Sequence, residues 1–205
     1  YMEKLACASE FADLLNFDEP IGDLIRKIGE RKGGGPEDVT LTVLARERHD
    51  EVVKEIREAG ATIRFITDGD VQAALLAVSE DTGIDLLWGI GGTPEGVLAA
   101  AAIKCLGGEI IGKLWPRNDE EREAALAAGY DLEKTRTSQD LINGDDVFFA
   151  ATGVTDGDLL EGVHRSKGFA TTESLIMRSR SGTVRKVQAR HDRAKLREVT
   201  GGLYG

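Results

Sequence analysis

Three short stretches hold the residue types that handle phosphate, sugar hydroxyls and metal ions. In Ala45-Arg46-Glu47-Arg48-His49-Asp50 two guanidinium groups stand two residues apart, and each offers the bidentate fork that suits a phosphate. In Asp68-Gly69-Asp70 two carboxylates flank a glycine and can accept sugar hydroxyls or help bind a hard cation. In Trp88-Gly89-Ile90-Gly91-Gly92-Thr93-Pro94-Glu95-Gly96 the glycines let backbone N–H groups approach an anion at a helix N-terminus. Pro94 suits a first helical turn, and Glu95 then falls where a metal ligand can sit. Each stretch also has a plainer reading. The arginines can belong to a solvated turn before a helix capped by Asp50, Asp70 can be the N-cap of the next helix, and Glu95 can simply stabilise a helix dipole. On the residues alone both sets of readings stand open.

Other patterns are weaker. Gly89 and Gly91 match the first two glycines of G-x-G-x-x-G, but Pro94 stands where the third belongs, so a nicotinamide cofactor is a distant alternative. His49, His164 and His191 are far apart and form no metal or triad spacing, so no His-centred catalysis is expected. Lys104, Lys113 and Arg117 can add positive charge near a phosphate, or merely solvate the surface. Thr152-Gly153-Val154-Thr155-Asp156-Gly157-Asp158 reads as a turn and the start of a helix.

The elements that must position these groups alternate along the chain. Residues 14–32 carry apolar positions at helical spacing and stop at Gly33-Gly34-Gly35-Pro36. A buried strand follows over residues 39–44, an amphipathic helix over 50–59 closed by Gly60, and a strand over 62–66. A helix over 70–78, a strand over 86–90 and an Ala-rich helix over 95–106 come next. The second half predicts a charged helix over 119–128, a loop running into a strand over 145–151, and strands 172–177 and 183–189 joined at Ser181-Gly182. Residues 191–205 read as a peripheral polar tail. This order predicts one α/β domain over residues 1–205, a largely parallel sheet flanked by helices and a small antiparallel element near the end. Ligands of such sheets bind at the carboxyl ends of the strands, where all three chemistry-bearing stretches lie.

Composition narrows the classes. The chain has 205 residues, a net charge of −10, 41% hydrophobic and 30% charged residues, which is globular rather than disordered. The acidic balance disfavours nucleic acid and anionic membrane as partners. The basic groups of interest are expected to concentrate at Arg46 and Arg48. No apolar run approaches the roughly 18 residues of a spanning helix. Cys7 and Cys105 fit no disulfide or metal spacing and suit a reducing, cytoplasmic compartment as buried small apolar residues.

The chain resembles the class II fructose-1,6-bisphosphatases over essentially its whole length. The resemblance rests on Tyr1-Met2-Glu3-Lys4, Arg46-x-Arg48-His49-Asp50, Asp68-Gly69-Asp70 and the Gly89–Gly96 loop. It continues in Ala151-Thr152-Gly153-Val154-Thr155-Asp156-Gly157-Asp158-Leu159-Leu160 and Ala170-Thr171-Thr172-Glu173-Ser174. It implies the layered αβαβα fold of metal-dependent, lithium-sensitive sugar phosphatases. The implied reaction is hydrolysis of the 1-phosphate of fructose 1,6-bisphosphate in gluconeogenesis, with sedoheptulose 1,7-bisphosphate as a second substrate in some lineages. The resemblance further implies substrate contacts from Tyr1, Arg46, Glu47, Arg48, Asp68, Gly69, Asp70 and Gly92, a Mn²⁺ or Mg²⁺ ligand at Glu95, and a homo-oligomer. Arg46 departs from the Lys usual there, which keeps the charge and changes the donor geometry. The Asp-Pro-Ile/Leu-Asp/Glu-Gly-Thr motif that carries the family's other metal carboxylates is not found. Together with a first residue that is not Met, this leads to the expectation that the chain is the C-terminal, substrate-binding portion of a longer enzyme, with the catalytic groups elsewhere. The alternative is a sugar-phosphate-binding module without catalysis.

Overall fold

The structure, a computed structural model, describes residues 1–199 and residue 201. Its first half runs β1 (Met2–Cys7), a 3-10 turn (Ser9–Leu14), α1 (Ile21–Arg31), β2 (Thr40–Leu44), α2 (Asp50–Ala59), β3 (Thr62–Ile66), α3 (Asp70–Val78), β4 (Leu86–Gly91), α4 (Thr93–Leu106) and β5 (Glu109–Leu114). The second half adds α5 (Asp119–Ala127), β6 (Arg136–Thr137), α6 (Ser138–Leu141), β7 (Phe148–Thr152), β8 (His164–Ser166), β9 (Phe169–Arg178), β10 (Thr183–Asp192) and α7 (Arg193–Val199).

The first sheet has the order β3-β2-β4-β1-β5-β6. β2 pairs in parallel with β3 and β4. β1 lies antiparallel between β4 and β5, and β6 is antiparallel to β5. The strands β2 to β5 therefore point one way, as a mainly parallel sheet requires, with β1 and β6 reversed. The second sheet is antiparallel, in the order β10-β9-β7 with β8 also on β9.

Apolar periodicity explains the layers. α1 and α2 each carry an apolar stripe, and Leu24, Ile25, Ile28, Val53 and Ile56 press it onto Leu41, Val43, Leu86 and Trp88 of the first sheet. Each such fully buried aliphatic contributes about 1.5–3 kcal/mol relative to exposure. α3 and α4 are apolar nearly all round because they lie between sheets. Ala73, Ala77, Ala99 and Ile103 meet Ala6, Leu87 and Ile110 of the first sheet. Leu75, Ala102 and Cys105 meet Phe149, Leu175 and Met177 of the second. The order helix, sheet, helix, sheet supplies four layers of the expected αβαβα arrangement among the described residues.

The bounds of α2, β3 and α3 coincide with the sequence expectation residue for residue. Gly60 adopts φ 94° after Ala59, a left-handed conformation that ends α2 without strain. Other expectations need correction. The helix expected over residues 14–32 begins only at Ile21, because Pro20 disfavours helical backbone at Glu19 and Leu14 closes a 3-10 turn instead. No helix starts at Thr152–Asp158. Asp156 there accepts the Gly162 N–H at 2.8 Å and pairs with His164 at 2.9 Å, and Asp158 pairs with Arg64 at 2.6 Å, so the segment is an ordered loop. The expected polar tail supplies the end of β10 and all of α7, while residue 200 and residues 202–205 lie outside the described residues. The basic charge does not concentrate at Arg46 and Arg48. Arg165, Lys167, Arg185, Lys186, Arg190, Arg193, Lys195 and Arg197 crowd into the segment from β8 to α7.

Both cysteines are free and buried, and burial pushes the Cys7 thiol up to about 12. No helix of the described residues is long and apolar enough to cross a membrane.

Candidate functional site

The carboxyl ends of β2, β3 and β4 open into a cleft of about 420 Å³. Tyr1, Leu44, Arg46, Arg48, Asp68, Gly69, Asp70, Val71, Gly91, Gly92 and Glu95 line it. Two helices begin at its wall. Gly69, the residue before α3, has φ 93°, so glycine lets the chain turn from Asp68 directly into the helix. Gly92 precedes α4 with extended backbone, and Pro94 sits in that helix's first turn. Both N-termini present free N–H groups and the positive end of a helix dipole to the cleft, which favours an anion.

The two arginines are held by backbone carbonyls. Arg46 donates to Ala45 O at 2.8 Å and to Thr67 O at 2.9 Å. Arg48 donates from Nε and Nη2 to Ile90 O at 3.0 and 2.7 Å. A guanidinium has five N–H donors, so each arginine is fixed in place and keeps donors for a ligand. The Tyr1 ring lies under two guanidinium groups, 5.3 Å from that of Arg48 and 4.7 Å from that of Arg117.

Beneath the arginines His49 is fully buried. Its Nδ1 stands 2.7 Å from Leu44 O, and its Nε2 accepts the Ile90 N–H at 3.1 Å and lies 3.2 Å from Ile90 O, an arrangement that a neutral imidazole protonated on Nδ1 fits. Its ring meets Trp88 edge-on at 5.1 Å. Burial lowers its pKa from 6.5, with the bond to Leu44 O acting the other way. The unfolded chain therefore takes up a proton as pH falls through that value while the folded chain resists it. The stabilisation is complete above pH 6.5 and is lost progressively below it. The urea midpoint is expected to fall between about pH 7.5 and about pH 5.5, and the His49→Gln variant to lose less over that interval.

All but one of the sequence-derived substrate and metal residues meet in this cleft. Glu47 is exposed in the 3-10 turn before α2 and is not among the lining residues. Asp50 and Asp70 are the first residues of their helices rather than caps. Asp70 instead pairs with Lys4, Nζ to Oδ2, at 2.7 Å. Lys104 is spent on Gln139, Ile142 O and Gly144 O, and Lys113 on Glu133, so neither serves the cleft. Arg117 is held by Glu121 beside Tyr1. Lys4 and His49 were not singled out by local pattern. The one signal for Lys4 is its place, with Glu3, as a charged residue inside the run of β1 whose other members are apolar.

Glu95 has no hydrogen bond or ion pair among the described residues, and its carboxylate folds over Gly92. A Cβ there would stand 1.8 Å from Oε2, so only glycine admits this placement. The carboxylate suits one position on a divalent ion. Among the described residues no group of three or more His, Cys, Asp or Glu is placed to hold a metal, so Glu95 offers one ligand and no complete site.

The family model described as bacterial fructose-1,6-bisphosphatase, glpX-encoded, matches residues 1–191. A relative from Haemophilus influenzae, fructose-1,6-bisphosphatase class 2, is 40% identical over 204 residues, covering 93% of this chain and 61% of the relative. Fructose-1,6-bisphosphatase 1 class 2 from Escherichia coli K12 is 37% identical over the same shares. The chain thus spans 61% of the length of these relatives.

Proposed function

The chain belongs to the bacterial, glpX-encoded fructose-1,6-bisphosphatase family, and from that premise we propose that it is the substrate-binding part of a metal-dependent sugar bisphosphatase. The observation that carries the reading is the convergence of Arg46, Arg48 and the N-termini of α3 and α4 on one cleft that also holds Asp68, Asp70 and Glu95. The arginine forks and helix N-termini bind a phosphate group. Asp68 and Asp70 accept hydroxyls of the sugar, and Tyr1 closes one side of it. Glu95 supplies one ligand to Mn²⁺ or Mg²⁺, which when bound activates water and neutralises the leaving oxygen. The remaining ligands come from the part of the relatives' length that this chain does not span. The reaction is release of the 1-phosphate from fructose 1,6-bisphosphate, with the seven-carbon bisphosphate as a further substrate. The same reading makes the protein a cytoplasmic homo-oligomer that binds neither nucleic acid nor membrane. The names of the relatives favour hydrolysis over a module that only binds.

The test has two arms. Calorimetry on this chain is expected to show saturable binding of fructose 1,6-bisphosphate that is lost in Arg48→Met. A chain completed to the relatives' length is expected to release phosphate from it only with Mn²⁺ or Mg²⁺. Binding that survives in Arg48→Met moves the phosphate site elsewhere, and completed protein without turnover restores the binding module.

The wall at Gly91 gives a sharper expectation. A Cβ there would stand 2.1 Å from Asp70 Oδ2 and 3.0 Å from Lys4 Nζ. Gly91→Ala must displace the Asp70 carboxylate, and fructose 1,6-bisphosphate affinity is expected to fall about tenfold, the effect of one misplaced charge-assisted hydrogen bond. Unchanged affinity would remove Asp70 from the sugar contact.

A further inference from the structure

Lys4 stands in β1, the reversed strand at the middle of the first sheet, and its side chain is 2% exposed. A buried ammonium needs a partner, and here it is Asp70 across the sheet end, 2.7 Å away. Two glycines leave room for the pair. A Cβ on Gly96 would meet Lys4 Cδ at 3.3 Å, and one on Gly91 would meet both charged groups. The first turns of α3 and α4, the end of β4 and the centre of β1 are therefore fitted around one ion pair.

Resting on the reading of the cleft as a sugar bisphosphate site, we propose that Lys4 is a positioning residue of the sugar subsite. It holds Asp70 through Oδ2 and leaves Oδ1 as the acceptor for a sugar hydroxyl. Asp70 accepts from a neutral polyol, so Lys4 acts on recognition of the sugar and not on the phosphate grip, which belongs to Arg46 and Arg48.

The test compares two probes on this chain, fructose 1,6-bisphosphate and inorganic phosphate. Lys4→Met removes the charge and keeps most of the apolar stem. It is expected to weaken fructose 1,6-bisphosphate at least tenfold and inorganic phosphate less than twofold, with the second substitution, Asp70→Asn, adding little on top. Equal weakening of both probes would make Lys4 a general charge or folding element and overturn the proposal, as would unchanged affinity for the sugar bisphosphate. Should Lys4→Met fail to fold, Lys4→Gln, too short to reach Asp70 in the same way, is held to the same pattern. If the unaltered chain binds neither probe, the reading of the cleft fails by itself. The crystal structure of the Lys4 variant then decides the positioning role, because an Asp70 carboxylate left in place overturns it and a displaced one upholds it.

Discussion

Glu95→Ala is expected to reduce metal-dependent phosphate release roughly 10³-fold in a chain completed to the relatives' length, while leaving the melting temperature nearly unchanged. Both halves follow from the same geometry. The carboxylate sits in the first turn of α4, over Gly92, with no hydrogen bond or ion pair among the described residues. Its loss therefore removes only a helix-dipole interaction, about 0.3–1 kcal/mol. A negative group kept in a ligand cleft without a partner suits a cation that arrives with the substrate. Removing one ligand of such an ion forfeits several kcal/mol of transition-state charge stabilisation, and each 1.36 kcal/mol is about tenfold in rate. Calorimetric Mn²⁺ affinity should fall in parallel, which separates a ligand from a residue that touches only substrate. Undiminished turnover in the variant takes Glu95 out of the metal site.

The first sheet was legible where each element carries its own start and stop. α2 has an apolar stripe and Gly60 behind it, β3 lies between that glycine and Asp68-Gly69-Asp70, and α3 begins at the latter. β1 was hidden because Glu3 and Lys4 interrupt its apolar run. Their partners, Trp88 and Asp70, lie 85 and 66 residues away, beyond the reach of any local pattern. β5 was hidden in the same way, as Glu109 and Lys113 bracket its apolar centre and Glu109 is satisfied by the Ser138 N–H. The site was legible as a set of strand ends and motifs, and the motifs supplied the proposed role of Tyr1, which spacing did not offer, and favoured the metal ligand among the readings that spacing left open for Glu95. What remained invisible was the support beneath the cleft. A buried Lys and a buried His announce themselves only through tertiary partners, since alone each is equally consistent with the surface.

His49→Ala is expected to destabilise the chain by about 3–5 kcal/mol, the largest stability effect among the site's residues. The imidazole occupies a fully buried position and joins two strand ends that belong to different parts of the sequence, Leu44 of β2 and Ile90 of β4. Truncation leaves the Leu44 carbonyl and the Ile90 N–H without this partner, at about 1–3 kcal/mol for each buried group left unsatisfied. It also opens a void beside Trp88, and large-to-small changes in a core add about 2–5 kcal/mol before relaxation and water entry reduce the sum. Arg48 follows His49 in consequence, because both lean on Ile90 and the arginine's two bonds to that carbonyl depend on β4 ending where it does. The variant should therefore lose ligand affinity as well as stability, the opposite of the Glu95→Ala pattern. His49→Gln, which can still reach one backbone group, should recover part of both. Chemical denaturation of the three proteins at about pH 7.5 reads the difference, and a His49→Ala midpoint within error of the parent would mean that the strand ends are held by the sheet alone.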